Sequence, residues 1–242
     1  MFEITDLHNH SLFDLDDGAD SYETMCRMID MSYESGVRHI CFTPHYFNVE
    51  KGDCSPGQIE DRFAKAREYC GKQYPDMGLS LGSEMIYHYD CIDSIKQKKL
   101  FTLAGSRYVL TDFLATFDAK SIASGVERIL NSGYVPVVAH VERYFCLYGK
   151  IDIIQRMSEA GAVIQMNAGS LFHGFFSKRR RLCMKLLSEG LVDVIASDAH
   201  GDTVRPPELK NAVKLVISKF GSDYAEYLFN TAPQKIISNQ RL

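Results

Sequence analysis

Several things are missing from this sequence, and each absence removes a class of protein. The seven cysteines are odd in number, and no two stand close enough for a CxxC pair. That argues against a disulfide framework and for a reduced, cytoplasmic chain. No basic segment followed by an apolar one opens the sequence, so no secretory signal is expected. No apolar run approaches the roughly 20 residues that span a membrane, so membrane insertion is not expected either. No long block of one charge occurs, and the net charge of -4 carries no footprint for nucleic acid. The one basic cluster, Lys178 to Arg181, reads as a solvated helix face, with contact to an acidic substrate as the alternative. Repeats, low-complexity tracts and Pro/Gly/Ser-rich linkers are also lacking. Residues 1–242 therefore read as one domain, long enough to bury a sizeable core.

What is there is a regular alternation. Short apolar runs at Glu3–His8, His39–Pro44, Leu79–Met85, Tyr108–Leu114, Val135–His140, Ala162–Asn167 and Val192–Ser197 predict strands. Helical spacing fills the intervals. One helix runs from near Ser21 to Gly36, and another starts at Ser55-Pro56, where Ser can cap and Pro suits the first turn. Others are expected at about Ala123–Asn131, Ile151–Ala160, Ser177–Ser188, Glu208–Phe220 and Asp223–Phe229, with Gly133, Gly161 and Gly190 as stops. Strands alternating with helices predict an α/β fold with a parallel sheet. Seven such units without a linker point to a closed or nearly closed barrel, with a doubly wound open sheet as the alternative.

Polar residues fall at one end of these strands. The first ends in His8 and His10, the second in His45, the third in Glu84, the fifth in His140 with Glu142 and Arg143 after it, and the seventh in Asp198 and His200 with Arg205 beyond. In a parallel barrel those ends share one face, where active sites sit. Residues two apart point the same way, so His8/His10 and Asp198/His200 can each aim two side chains at one point. Imidazoles and carboxylates without thiolates suit Zn, Mn or Fe. With Asp17 included there are too many ligands for one tetrahedral ion, and a carboxylate such as Glu84 can bridge two. His39, beside Arg38 at a strand start, reads as structural or exposed. His88 and His173 fall in loops on the presumed active face, as groups that can touch substrate rather than ligate metal.

The order HxH, H, E, H, DxH on successive strand ends resembles the PHP (polymerase and histidinol phosphatase) superfamily. The stretches "DLHNHSLFDLDDG", "TPHYF", "LGSEMIY", "VVAHVERY" and "ASDAHGDTVRPP" are similar, over essentially the whole chain, to the manganese-dependent tyrosine phosphatases of bacterial capsule and exopolysaccharide clusters. The resemblance implies a distorted (β/α)7 TIM-like barrel with two or three metal ions, Mn2+ first and Fe or Zn as alternatives. It implies that His8, His10, Glu84 and Asp198 hold one ion, and that Glu84 bridges to a second held also by His45 and His140. Asp17 and His200 then belong to a third, and Arg143 and Arg205 grip the substrate phosphate. Asp14 and Asp16 have no such match and read as local hydrogen-bond partners. Val141 stands where relatives often have proline, and Asp112 lies near a position where they often have glutamate.

The implied reaction is phosphomonoester hydrolysis by a metal-activated water, with His200 or another bound water as acid. The implied partner is a phosphotyrosine protein, the C-terminal tail of a tyrosine kinase. No cysteine is followed six positions later by arginine, the spacing of thiol phosphatases. A histidinol-phosphate or other small-molecule phosphatase would share the ions and arginines. An amidohydrolase also opens with HxH, but the fourth strand lacks the lysine many of those enzymes carbamylate. The acidic balance weighs against a nuclease, and the intact ligand positions weigh against a barrel that has lost its chemistry.

Overall fold

The computed structural model describes residues 2–48, 52–174 and 176–242. It begins with β1 (Ile4–Asn9), buried throughout, and α1 (Tyr22–Glu34). Ser21 caps α1 by accepting the Thr24 amide, and Met25, Met28, Ile29 and Ser32 form its buried stripe. After β2 (Val37–Phe42) comes a small antiparallel pair, β3 (Phe47–Asn48) and β4 (Gly52–Asp53). The next helix, α2 (Pro56–Gln73), starts with a reciprocal Ser55/Gln58 capping box and Pro56 in its first turn.

The remaining elements are β5 (Gly78–Leu81), β6 (Glu84–Ile86), α3 (Cys91–Lys96), β7 (Tyr108–Asp112), α4 (Ala119–Asn131), β8 (Val135–Val138), α5 (Ile151–Glu159), β9 (Val163–Asn167), α6 (Lys178–Ser188), β10 (Val194–Ala196), α7 (Lys210–Phe220), α8 (Ser222–Glu226) and α9 (Ala232–Ile237). Gly133, Gly161 and Gly190 take positive φ where helices stop, the conformation that favours glycine there. The helix α4 starts a turn earlier than its apolar spacing suggests, because Asp118 accepts the Ser121 amide and caps it. The last expected helix, Asp223–Phe229, forms as α8 running into a π turn at Tyr227–Thr231, and α9 follows beyond it.

Seven continuous strands are not what forms. The expected third strand, Leu79–Met85, breaks into β5 and β6, and its halves pair in different sheets. One sheet runs β1-β2-β5 and the other β10-β9-β8-β7-β6, both parallel. The break is at Gly82-Ser83. A Cβ on Gly82 would come within 2.8 Å of the Leu103 side chain, and Ser83 Oγ accepts the Phe101 amide at 3.1 Å. Packing against the segment before β7 thus turns the chain inside one apolar run.

The two sheets meet along two seams. Asn9 bridges to Ala199 and His45 bridges to Glu84, both in parallel sense. Across the first seam Asp198 N–H donates to His8 O and His10 N–H to Ala199 O; across the second Tyr46 N–H donates to Glu84 O and Glu84 N–H to Pro44 O. Leu7 and Cys41 from one sheet and Leu110, Val137, Val194 and Ala196 from the other form a shared buried cluster. The helices cover a second, larger core. Among the described residues, no helix is long and apolar enough to cross a membrane.

Candidate metal centre

Parallel pairing puts the C-terminal ends of the strands at one edge, and the polar residues gather there. His8 and His10, two apart at the end of β1, bring their Nε2 atoms to 3.0 Å of each other. Glu84 Oε2 stands 3.2 Å from each of these nitrogens, and Asp198 Oδ1 stands 3.4 Å and 3.7 Å away. All four side chains are buried.

The outer ring nitrogens reveal what this arrangement needs. His8 Nδ1 faces Gln165 Oε1, an oxygen that also accepts the His140 amide. His10 Nδ1 donates to Asp16 Oδ2 at 2.7 Å, an oxygen that also accepts the His45 amide. With both Nδ1 atoms protonated, both Nε2 atoms present lone pairs to each other and to two carboxylate oxygens. Such a convergence is repulsive unless a cation lies between. His45 Nδ1 and His140 Nδ1 are likewise buried without a hydrogen bond. The residues therefore fit a metal, and their donor types fit Mn, Fe or Zn. Burial lowers the affinity of His10 for a proton, but Asp16 and Glu84 outweigh it and hold the ring well above its ordinary pKa. The same surroundings that attract a proton attract a metal ion.

Glu84 is the hub. Its Oε2 also lies 3.1 Å from His45 Nδ1, and its Oε1 lies 3.0 Å from His140 Nε2. Burial would raise its carboxyl pKa, yet the surrounding imidazoles, His8 and His45 foremost, hold it well below the usual range. Its donor atoms and those of its neighbours fall into overlapping groups. His8, His10, Glu84 and Asp198 form one, and Glu84, Asp112 and His140 a second. His45 joins His10 and His200 in a third, and Asp16 and Asp17 in a fourth.

Every ligand candidate singled out in the sequence is therefore brought to this edge, with His45 and His140 both beside Glu84 and further contacts around them. His140 shares Glu84 with Asp112, whereas His45 turns its Nε2 to Asp17 at 3.3 Å. Asp17 also lies 3.6 Å from His200. The hydrogen bond from His45 keeps the Asp17 carboxyl well below its ordinary pKa. Burial, reinforced by the charge of His10, pushes the His200 imidazole down to about 3.

Asp198 carries a second function. Its Oδ1 faces the imidazoles, while its Oδ2 accepts from Arg143 Nη1 at 3.2 Å, Arg205 Nη2 at 2.5 Å and Asn167 Nδ2 at 2.5 Å. One carboxylate thus joins the imidazole cluster to a pair of half-exposed guanidiniums. His140, Asp198 and Arg205 all have positive φ without being glycine. Such strain costs about 1–3 kcal/mol per residue and persists where surrounding contacts demand it.

Other residues hold these in place. Asp16 fixes His10 and takes the Gly18 amide on Oδ1. A Cβ on Gly18 would fall 2.0 Å from His10 O, so only glycine lets the loop pass. Asp6 accepts from Ser197 and Asn9, tying β1 to the exit of β10. Tyr144 donates its hydroxyl to Asp112 Oδ1 at 2.8 Å. Glu142 is fully buried before Arg143, accepting Ser170 Oγ and the Asn167 amide, and burial raises its carboxyl pKa. Gln165 and Asn167, on β9, had no place in the sequence reading, and Asp112 was only noted as lying near a ligand position. The strand-end rule that selected the others selects Asp112 as well, since it closes β7. Asp14 stands apart, 3.7 Å from Arg62. His88 is exposed and takes the Asp90 amide on Nδ1.

Comparison with known proteins adds independent findings. The model of a family described as capsular polysaccharide synthesis, CpsB/CapC, matches residues 4–238. The tyrosine-protein phosphatase CpsB of Streptococcus pneumoniae is 33% identical over 247 residues, covering 98% of this chain and 99% of the relative. A solved chain from work on YwqE of Bacillus subtilis and CpsB of Streptococcus pneumoniae, described as unique metal-dependent tyrosine phosphatases, superposes with a TM-score of 0.90 at 23% identity, covering 99% of this chain and 96% of that one. Histidinol phosphate phosphatase from Lactococcus lactis, solved with zinc, L-histidinol and phosphate, gives a TM-score of 0.61 at 15% identity over 90% of this chain and 93% of its own.

Proposed function

The chain belongs to the CpsB/CapC family of capsular polysaccharide synthesis proteins, and from that premise we propose that it is a metal-dependent tyrosine-protein phosphatase. The observation that carries this reading is the Asp198 carboxylate, which ties the imidazole cluster to Arg143 and Arg205. His8, His10, Glu84 and Asp198 would hold one ion and Glu84 with His140 and Asp112 a second; Asp17, close to both His45 and His200, would join them around a third, with Mn2+ the first choice and Fe or Zn the alternatives. Bound divalent ions supply a water acidic enough to ionise near neutral pH and positive charge beside the phosphoryl oxygens.

The chain's own residues do the rest. Arg143 and Arg205 present guanidinium forks to the phosphate, a match in geometry that lysine lacks. Held by Asp198, they are preorganised for charge that builds on the equatorial oxygens. Gln165 and Asp16 lock the tautomers of His8 and His10. His200 stands beside Asp17 and Asp198, a place for a ligand, with proton transfer to the leaving group as its alternative role. A phenolate leaving group needs little protonation.

The same reading makes the two sheets one distorted (β/α)7 barrel of a single domain, closed through the Asn9/Ala199 and His45/Glu84 bridges. It places the protein in the cytoplasm, in keeping with seven free cysteines. Its substrate is then phosphotyrosine on the C-terminal tail of a capsule-regulating tyrosine kinase. The histidinol-phosphate alternative is supported by fold likenesses at 12% and 15% identity, which show the fold alone. A side-by-side turnover assay with Mn2+ tests the choice. Phosphotyrosine peptides are expected to exceed histidinol phosphate in kcat/KM by about tenfold or more, a gap of about 1.4 kcal/mol; the reverse order would overturn it.

A further inference from the structure

The basic cluster at Lys178–Arg181 opens α6, and one of its members faces the site. A cavity of about 550 Å³ opens beside Arg143 and Arg205 and extends past Asn167 and Phe172 to His173 and Arg179. Arg179 and His173 also line an adjoining depression of about 490 Å³, whose rim carries Phe145. The recess next to the guanidinium pair is therefore far longer than a small phosphate ester.

Charge in this recess is unbalanced. Arg143 and Arg205 are matched by Asp198. Arg179 has no carboxylate partner among the described residues; its Nη1 instead reaches His173 Nε2 at 3.2 Å, so the ring accepts and orients the guanidinium. Among the described residues, the acid on the cavity wall is Glu208, and it is engaged by the Asn211 amide. The first turn of α6 holds no acid, so the helix dipole also opposes a cation there. Phe172 shares the first cavity with Arg179 and Phe145 the second, and both leave their rings largely in solvent, with 53% and 71% exposure. A cation without a carboxylate partner, in a recess that also offers exposed rings, suits a peptide with an anionic side chain.

We infer that Arg179, oriented by His173, forms a second anion subsite that binds a carboxylate or a second phosphate on a residue flanking the phosphotyrosine. The substrate is then an acidic or multiply phosphorylated segment, not an isolated phosphotyrosine. This rests on the phosphatase reading for the position of the first phosphate. Arg179 is a specificity-determining residue that acts by binding.

The test uses the full chain with Mn2+ and fluorescein-labelled peptides carrying a non-hydrolysable difluorophosphonate analogue of phosphotyrosine. Three peptides are compared by fluorescence anisotropy: neutral flanks, a glutamate flank, and a second analogue as flank. The wild type is expected to bind at least one anionic-flank peptide about fivefold or more tightly than the neutral one. Whichever anionic peptide binds tighter identifies carboxylate or phosphate as the ligand. Arg179→Gln is expected to bring the ratio near one, Arg179→Lys to keep part of it, and His173→Ala to weaken it. No preference in the wild type, or a preference that survives Arg179→Gln, would overturn the inference. Hydrolysis of p-nitrophenyl phosphate by the wild type is measured in parallel. Its absence would overturn the phosphatase reading, while the binding ratio judges the subsite separately.

Discussion

His10 and His39 sit at opposite ends of one pair of strands. His10 follows β1 at the C-terminal edge, and His39 lies near the start of β2, in register with Thr5. Both rings are largely shielded, yet their affinities for a proton move in opposite directions. Burial pulls His39 down to about 4, with no charge to counter it. Its Nε2 meets only Ser80 Oγ at 2.9 Å, and Gly78 provides room that a side chain would fill, since a Cβ there would lie 2.5 Å from His39 Nδ1. Burial acts on His10 as well, but Asp16 and Glu84 reverse it. A shielded imidazole alone is a neutral packing group; one shielded together with carboxylates is a place for a cation. Acidic company, not burial, separates ligand candidates from structural histidines.

That contrast can be broken or sharpened by experiment. The largest effect is expected from chelation, which should reduce aryl-phosphate hydrolysis to background until Mn2+ is restored. Undiminished turnover in excess chelator would show that the C-terminal cluster is no different in kind from His39. Arg143→Ala is expected to lower kcat/KM about 10²–10³-fold while metal content, read by elemental analysis, stays the same; lost metal would make Arg143 part of the ion cluster instead. Gln165→Leu removes the acceptor that fixes the His8 tautomer, and metal affinity measured by titration calorimetry should fall about 10–100-fold.

The smallest effect belongs to His39. Its folded pKa lies near 4 against an ordinary 6.5, so the unfolded chain binds the extra proton between those values. Stability should therefore fall as pH drops from about 6.5 toward 4, by on the order of 3 kcal/mol in total. His39→Gln should flatten that slope in urea titrations at pH 7 and pH 4.5 without changing turnover at pH 7. An unchanged slope would show that burial at this end does not set the protonation.

The candidate site was largely legible because its candidate ligands are rare residue types at a repeated place. His8, His10, His45, Glu84, His140, Asp198 and His200 each follow an apolar run, and the run locates the edge. Asp16, with no expected ligand role, is the group that orients His10, in line with its reading as a hydrogen-bond partner. Gln165 and Asn167 escaped notice because an amide inside an apolar strand carries no signal of its own. Its meaning comes from His8, His140 and Asp198, which reach it only after folding. That Asp112 joins His140 at Glu84 was hidden for a similar reason, since sequence order does not say which oxygen of a carboxylate a histidine meets. The break at Gly82 was hidden because Leu103, whose packing leaves no room for a side chain there, lies in a different segment.

The two seams have a consequence for how the protein holds together. His8, His10 and His45 come from the three-stranded side, while Glu84, His140 and Asp198 come from the five-stranded side. Ions held among them, as proposed, would clasp two sheets that the backbone joins through the hydrogen bonds of the two seams. The thermal midpoint of the protein then becomes a gauge of free metal. Once the ion concentration exceeds the dissociation constant, each tenfold increase adds about 1.4 kcal/mol to the folded state for every such site. A cell short of the ion would lose the fold's clasp together with the chemistry, so that supply of one nutrient would govern both how fast the enzyme works and how long each copy lasts.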